Sequence, residues 1–320
     1  MPKLAAFADI KQTRVEYPVP GGYTRAITSF FPRPDNSSVD MPMAFLADGS
    51  PGRILRTHYH HTDQFQVIIL GDGFMGSHKL GFGGVHFARA YTPYGPTRYG
   101  EAQGLGFLTL RAHVDMGANY MPENREALDA VPDRAPWQVS AMPDLALVPD
   151  ASGVAMKPIE GMKDDHGLGG WSVVLRAGAS ITTTDLSRGE GQFVVVLRGG
   201  IMDGADHRLA PTVIFMAKGE GSIEVKAGPE GATLLILNFP DAAAARRSGQ
   251  EAAGIGQHAR EATAHECVLC GFVYKDASGE PHAGITPGTR WADVPESFQC
   301  PDCDAGKADF TAVENTRDLL

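Results

Sequence analysis

The four cysteines of this chain constrain its fold most tightly. All lie in the last fifth, in CVLCG at 267–271 and CPDC at 300–303. Each CxxC knuckle presents two thiolates from one tight turn, and two knuckles can set four sulfurs tetrahedrally around one ion. Soft sulfur donors in that geometry select iron or zinc. Spacing alone leaves both open, with a zinc ribbon as the simpler reading. A unit this small cannot close a large hydrophobic core, so the metal has to staple it. No cysteine remains for a disulfide elsewhere, which suits a reducing, cytoplasmic setting.

The residues around the knuckles decide between the metals. Gly271, Tyr274, Pro287-Gly288-Thr289, Trp291, Asp293-Val294-Pro295, Phe298, Pro301, Lys307 and Phe310 stand in a pattern that resembles rubredoxin across about fifty residues. Zinc ribbons have no reason to keep that aromatic set. Phe272, Tyr274, Trp291, Phe298 and Phe310 would make the core. The resemblance implies one iron held by Cys267, Cys270, Cys300 and Cys303, cycling one electron with little change of geometry, its potential tuned by backbone N–H groups near the sulfurs. Asp304 departs from the family, which usually has glycine there. Zinc fits the same thiolates, so the metal of a preparation depends on supply.

The rest of the chain reads as short strands split by turns. Gly (38) and Pro (22) are plentiful in 320 residues and long helical patterns are few, which favours a mainly β fold. A net charge of −10 argues against nucleic acid or an anionic membrane as partner. No apolar run is long enough for a membrane helix, and the start lacks the apolar stretch of a secretory signal. A short helix is expected at 123–131, after Pro122. DQFQVIILG (63–71) and GQFVVVLRG (191–199) share Gln-Phe, an apolar strand and a closing glycine, which suggests an internal duplication. The expected organisation is a first barrel at 1–135, a second, degenerate barrel at 136–242, an Ala-rich linker at 243–264 and the metal unit at 265–320.

In GRILRTHYHHTDQFQVIILG (52–71), Gly52, His58, His60, Gln64 and Gly71 match the first cupin motif, with Gln64 in place of its glutamate. Pro93-Tyr94-Gly95-Pro96-Thr97-Arg98 resembles the second motif, with Arg98 where the family has histidine. The resemblance implies two cupin-type β-barrels, that is, double-stranded β-helices, and as cupins commonly pair, a homodimer. On a strand His58 and His60 share one face, which inside a small barrel is a pocket.

Three readings stay open. His58, His60 and Gln64 bind a second divalent metal (Fe, Mn, Ni or Zn), with Arg98 gripping an anionic substrate; or these residues line a metal-free ligand pocket; or the histidines are structural. The second copy has no histidine at the matching positions yet keeps Gln192. That makes Gln64 look structural, and it shows that the fold does not require His58 and His60. His78, His86 and His113 are weaker candidates for a third ligand. Two functions follow. In one, an iron-dependent oxidoreductase of dioxygenase type acts on a small anionic or aromatic molecule, fed by the tethered Fe(Cys)4 centre. In the other, an electron-transfer component serves a separate oxygenase or a rubredoxin reductase, with the cupins as ligand-binding or dimerising scaffold.

Overall fold

A computed structural model describes residues 2–19, 21–31, 41–115, 117–132, 134–164, 166–184, 189–243, 264–267, 272–301, 306–307 and 310–312. The architecture is mainly β, as expected. The first unit faces a seven-stranded antiparallel sheet against a four-stranded one. The large sheet runs in the order Gln138–Ala141, Val85–Ala88, Gln64–Gly71, Leu105–Arg111, Met43–Gly49, Tyr23–Ser29, Val15–Val19. The small one runs Ile54–Leu55, Thr97–Tyr99, Gly73–Met75, His78–Leu80. The second unit is an eight-stranded sheet centred on two long strands, Gly191–Asp203 and Glu224–Phe239. Of the helix expected at 123–131, Arg125–Asp129 is helical.

Two strands cross the expected division at 135/136. Lys3–Ala6 pairs with Thr212–Ala217 and edges the second unit's sheet. Gln138–Ala141 pairs with Val85–Ala88 and edges the first unit's sheet.

Alternation along the two strands that share the Gln-Phe pattern explains how the units meet. Phe65 and Val67 face the second unit, Phe193 and Val195 face the first, and all four lie in one buried cluster with Phe87, Phe215 and Phe239. Phe65 and Phe87 pack tilted across their strand pair at 4.8 Å between ring centroids, and Phe193 and Phe215 repeat this at 4.8 Å. Each such ring contributes about 1.5–3 kcal/mol by leaving water. Residues of the opposite parity point into the two barrels: Ile68 into one, Val194 and Val196 into the other. An Arg89–Asp164 ion pair (2.7 Å) and a His113–Glu190 hydrogen bond (3.0 Å) also link the units.

The closing glycines of the repeat have a shared reason. Gly71 (φ +65°) and Gly199 (φ +68°) are left-handed, and a Cβ at either would stand 2.1 Å from a carbonyl oxygen, that of Gly104 or of Gly231. Only glycine tolerates both demands.

The C-terminal unit has a three-stranded sheet with Ala264–Cys267 between Val273–Lys275 and Phe310–Ala312. The expected linker lies outside the described residues between 244 and 263.

Candidate functional site

In the C-terminal unit Cys267 and Cys300 are buried among Tyr274, Ile285, Val294, Phe298 and Phe310, with Phe272 and Trp291 packed alongside. Trp291 sits centrally, its ring centroid 4.8 Å from Phe310, 5.1 Å from Tyr274 and 5.7 Å from Phe298. Both knuckles are closed by backbone pairing. Cys267 N–H donates to the Phe272 carbonyl at 2.7 Å, and Gln299 bridges to Gly306. Lys307 reaches back to donate to the Val294 carbonyl at 2.6 Å, and the Tyr274 hydroxyl donates to that of Thr289 at 2.7 Å. Cys270, Gly271, Cys303 and Asp304 lie outside the described residues. Two thiols buried on adjoining knuckles, in a core otherwise apolar and aromatic, are a donor set that fits a thiolate-bound iron.

In the first barrel His58 and His60 do converge, their rings 5.1 Å apart and perpendicular. Both are buried, His58 on the short strand His58–Tyr59 and His60 just after it. Their nitrogens are already engaged. His58 Nδ1–H donates to the Arg56 carbonyl (2.8 Å), and Nε2 accepts from the Tyr94 hydroxyl (2.9 Å). That hydroxyl accepts in turn from the Gln64 amide. Gln64 Oε1 accepts from Arg111 Nε (3.1 Å) and Nη2 (2.9 Å). His60 Nδ1–H donates to Asp115 Oδ2 at 2.6 Å. Arg111 Nη2 lies 3.1 Å from both ring nitrogens of His60. Asp115 also takes Arg111 Nη1 (3.3 Å) and the backbone N–H groups of His61 (3.0 Å) and Gly117 (3.1 Å).

The first of the three readings, a divalent metal on His58, His60 and Gln64, therefore does not fit this arrangement. A guanidinium bonds two of the three residues, and a tyrosine hydroxyl bonds His58 and Gln64. A divalent ion would have to enter beside a buried, permanently charged Arg111. Among the described residues no three His, Cys, Asp or Glu side chains group as a metal site.

The electrostatics follow from burial. His58 is pushed down to about 3, first by desolvation and then by His60. Desolvation also lowers His60, against the pull of Asp115. Burial alone would lift the Asp115 carboxyl, but the His60 hydrogen bond and the Arg111 charge hold it well below the usual carboxylate range. Tyr94 is raised by desolvation. At neutral pH the network is two neutral imidazoles, one carboxylate and one guanidinium.

Arg98 does not act where the motif would place it. Thr97 and Tyr99 are buried, Arg98 between them takes the other face of the strand, and it donates to the Gly76 carbonyl at 3.2 Å. The cation bonded to Gln64 inside the barrel is Arg111, which lies outside both motifs. Its signal lay in RAHVD (111–115), an arginine ending an apolar strand. The second barrel shows the equivalence. Leu110 pairs with Phe65 and Leu237 with Phe193, so Arg111 and Asn238 hold matching places. Asn238 Oδ1 accepts from Gln192 at 2.6 Å, as Gln64 accepts from Arg111. Of the weaker histidines, His86 bonds Ser140 (2.8 Å) and His113 bonds Glu190; neither bonds His58 or His60.

A cavity of about 460 Å³ opens in front of this network, lined by His58, His60 and Tyr94 and by residues of the Tyr23–Ser29, Met43–Gly49 and Leu105–Arg111 strands.

The rubredoxin family model matches residues 264–310. Rubredoxin-1 of Alcanivorax borkumensis is 59% identical over 49 residues, 15% of this chain and 91% of that protein. Rubredoxin of Acinetobacter baylyi is 46% identical over 50 residues, 16% of this chain and 93% of its own length. The anaerobic nitric oxide reductase flavorubredoxin of Pectobacterium carotovorum matches at 48% identity over 48 residues, 10% of its length. Among solved structures, GK1651 of Geobacillus kaustophilus covers 74% of this chain and 95% of its own, with TM-score 0.49 and 12% identity. The Escherichia coli pirin YhhW, in complex with nickel(II), covers 75% and 99%, with TM-score 0.48 and 10% identity.

Proposed function

We propose that this chain, which belongs to the rubredoxin family through residues 264–310, is a one-electron carrier tethered to a ligand-binding β-barrel, with a single metal per chain. The rubredoxin domain implies iron bound by its cysteines, and that iron supplies the electron when present. Small, low-polarity surroundings and knuckles pinned by backbone pairing keep the thiolates in place through a change of charge. The first barrel contributes recognition, not a second redox metal. The observation that carries this reading is the Arg111 guanidinium, bonded to Gln64, set against His60 and paired with Asp115. The dioxygenase reading needs that position for its metal. An acidic chain of net charge −10 suits a basic reductase or oxygenase as exchange partner in the cytoplasm.

Metal analysis of protein made with ample iron tests the reading. One iron per chain is expected, unchanged when His58 and His60 are both replaced by alanine. Two metals per chain, or loss of one on that substitution, would sink it.

A further inference from the structure

The first-barrel cavity holds more positive charge than its own carboxylate can match. Arg25, Arg53 and Arg111 all reach its lining, and among the described residues Asp115 is the one acidic group there. Asp115 is already committed to His60 and Arg111. Arg25 and Arg53 pair with no carboxylate among the described residues; Arg53 has only the Tyr99 hydroxyl, at 3.5 Å, and the Tyr99 ring, 5.2 Å away. Arg53 is nonetheless 7% exposed. A buried guanidinium without an anion is costly, and its fork geometry matches a carboxylate.

The backbone makes room for this pair. Gly49 lies opposite Arg25 in the strand register. A Cβ there would stand 3.1 Å from Arg53 Nη1 and 2.8 Å from Tyr99 Cε2, so the missing side chain admits both groups beside Arg25. A further polar group waits in the lining. Gln66 is 3% exposed, and its Oε1 meets no donor among the described residues. The remaining wall near the arginines is apolar and flat-faced, with Ile27, Phe45, Leu55, Tyr99 and Phe107.

We infer that this cavity binds an aromatic carboxylate. Arg25 and Arg53 hold the carboxylate, the ring lies among Phe45, Tyr99 and Phe107, and Gln66 Oε1 accepts from a donor on the ring. The inference rests on the ligand-pocket reading above, because Arg111 stays bonded to Gln64 and Asp115 and leaves the other two arginines for the ligand. The volume suits one small organic molecule, and the apolar wall sets it apart from a site for inorganic anions.

Calorimetric titration of the iron-loaded full chain with benzoate, benzyl alcohol and inorganic phosphate tests this. Benzoate should bind, with benzyl alcohol and phosphate at least ~10-fold weaker. Arg25→Gln with Arg53→Gln should weaken benzoate ~100-fold while leaving the iron absorption and the melting temperature of the barrels in place. Gly49→Ala, which displaces Arg53 without removing charge, should weaken it too. No benzoate binding up to ~10 mM, equal binding of phosphate, or unchanged binding in the double variant would each overturn the inference. Metal counted in the same samples separates the two ideas. A second metal per chain overturns the metal-free reading whatever benzoate does. One iron per chain with no benzoate binding overturns this inference alone.

Discussion

Arg111 and Asp115 show how a buried ion pair is made tolerable: every polar partner in the network is itself hydrogen-bonded. Removing one charge exposes the other. Arg111→Met should cost about 3–5 kcal/mol in urea denaturation, and Arg111→Met with Asp115→Asn should recover part of that loss. His86 gives a pH signature. Its Nε2 is buried without a partner among the described residues, and burial takes it from 6.5 down to about 3. Between those values the unfolded chain is protonated at this histidine and the folded chain is not. This histidine's share of the stability should therefore fall as pH drops from about 6.5 toward 3, by at most about 1.4 kcal/mol per pH unit, with His58 adding a similar loss. Urea midpoints at pH 7 and pH 5 should converge more closely for His86→Gln than for the unaltered protein. At this level the sequence was half legible. His58 and His60 share a face because they are two residues apart. Arg111 becomes their neighbour only through strand pairing across some fifty residues, which no local motif reports, and Arg98 was misplaced because a matching turn says nothing about which face the next residue takes.

The repeated strand carries its information in alternation. Phe65 and Phe193 face outward from their barrels and weld the units; Gln64 and Gln192 face inward and serve different networks. The shared Gln-Phe pair and the closing glycine were visible as text, and the structure supplies the reason for each. Phe193→Ala should cost about 3–5 kcal/mol, because it opens a cavity where the two units meet. Gly71→Ala and Gly199→Ala should each cost about 1–3 kcal/mol through left-handed strain and carbonyl contact. Equal losses in thermal melts would confirm that the two glycines do the same job. The strand partners of Lys3–Ala6 and Gln138–Ala141 were not legible, since both segments are short and either sheet offers an apolar edge.

Across the whole molecule, the metal unit and the barrels draw on separate cores. Stripping iron with acid and chelator should abolish near-ultraviolet signals from the Trp291 cluster and leave the barrel melting transition in place. Zinc in place of iron should restore the fold without the visible absorption. A single transition that moves as a whole with metal content would show the cores to be coupled.

The exchanged strands tie the two barrels into one unit. Each half of the barrel pair completes a sheet of the other, so neither can be removed or swapped alone without leaving an open edge. A chain severed between 135 and 136 should stay together as a complementing pair, and the fragments made separately should aggregate until mixed. Such interdependence makes the second barrel the keystone of its neighbour, whatever stands at its places matching His58 and His60.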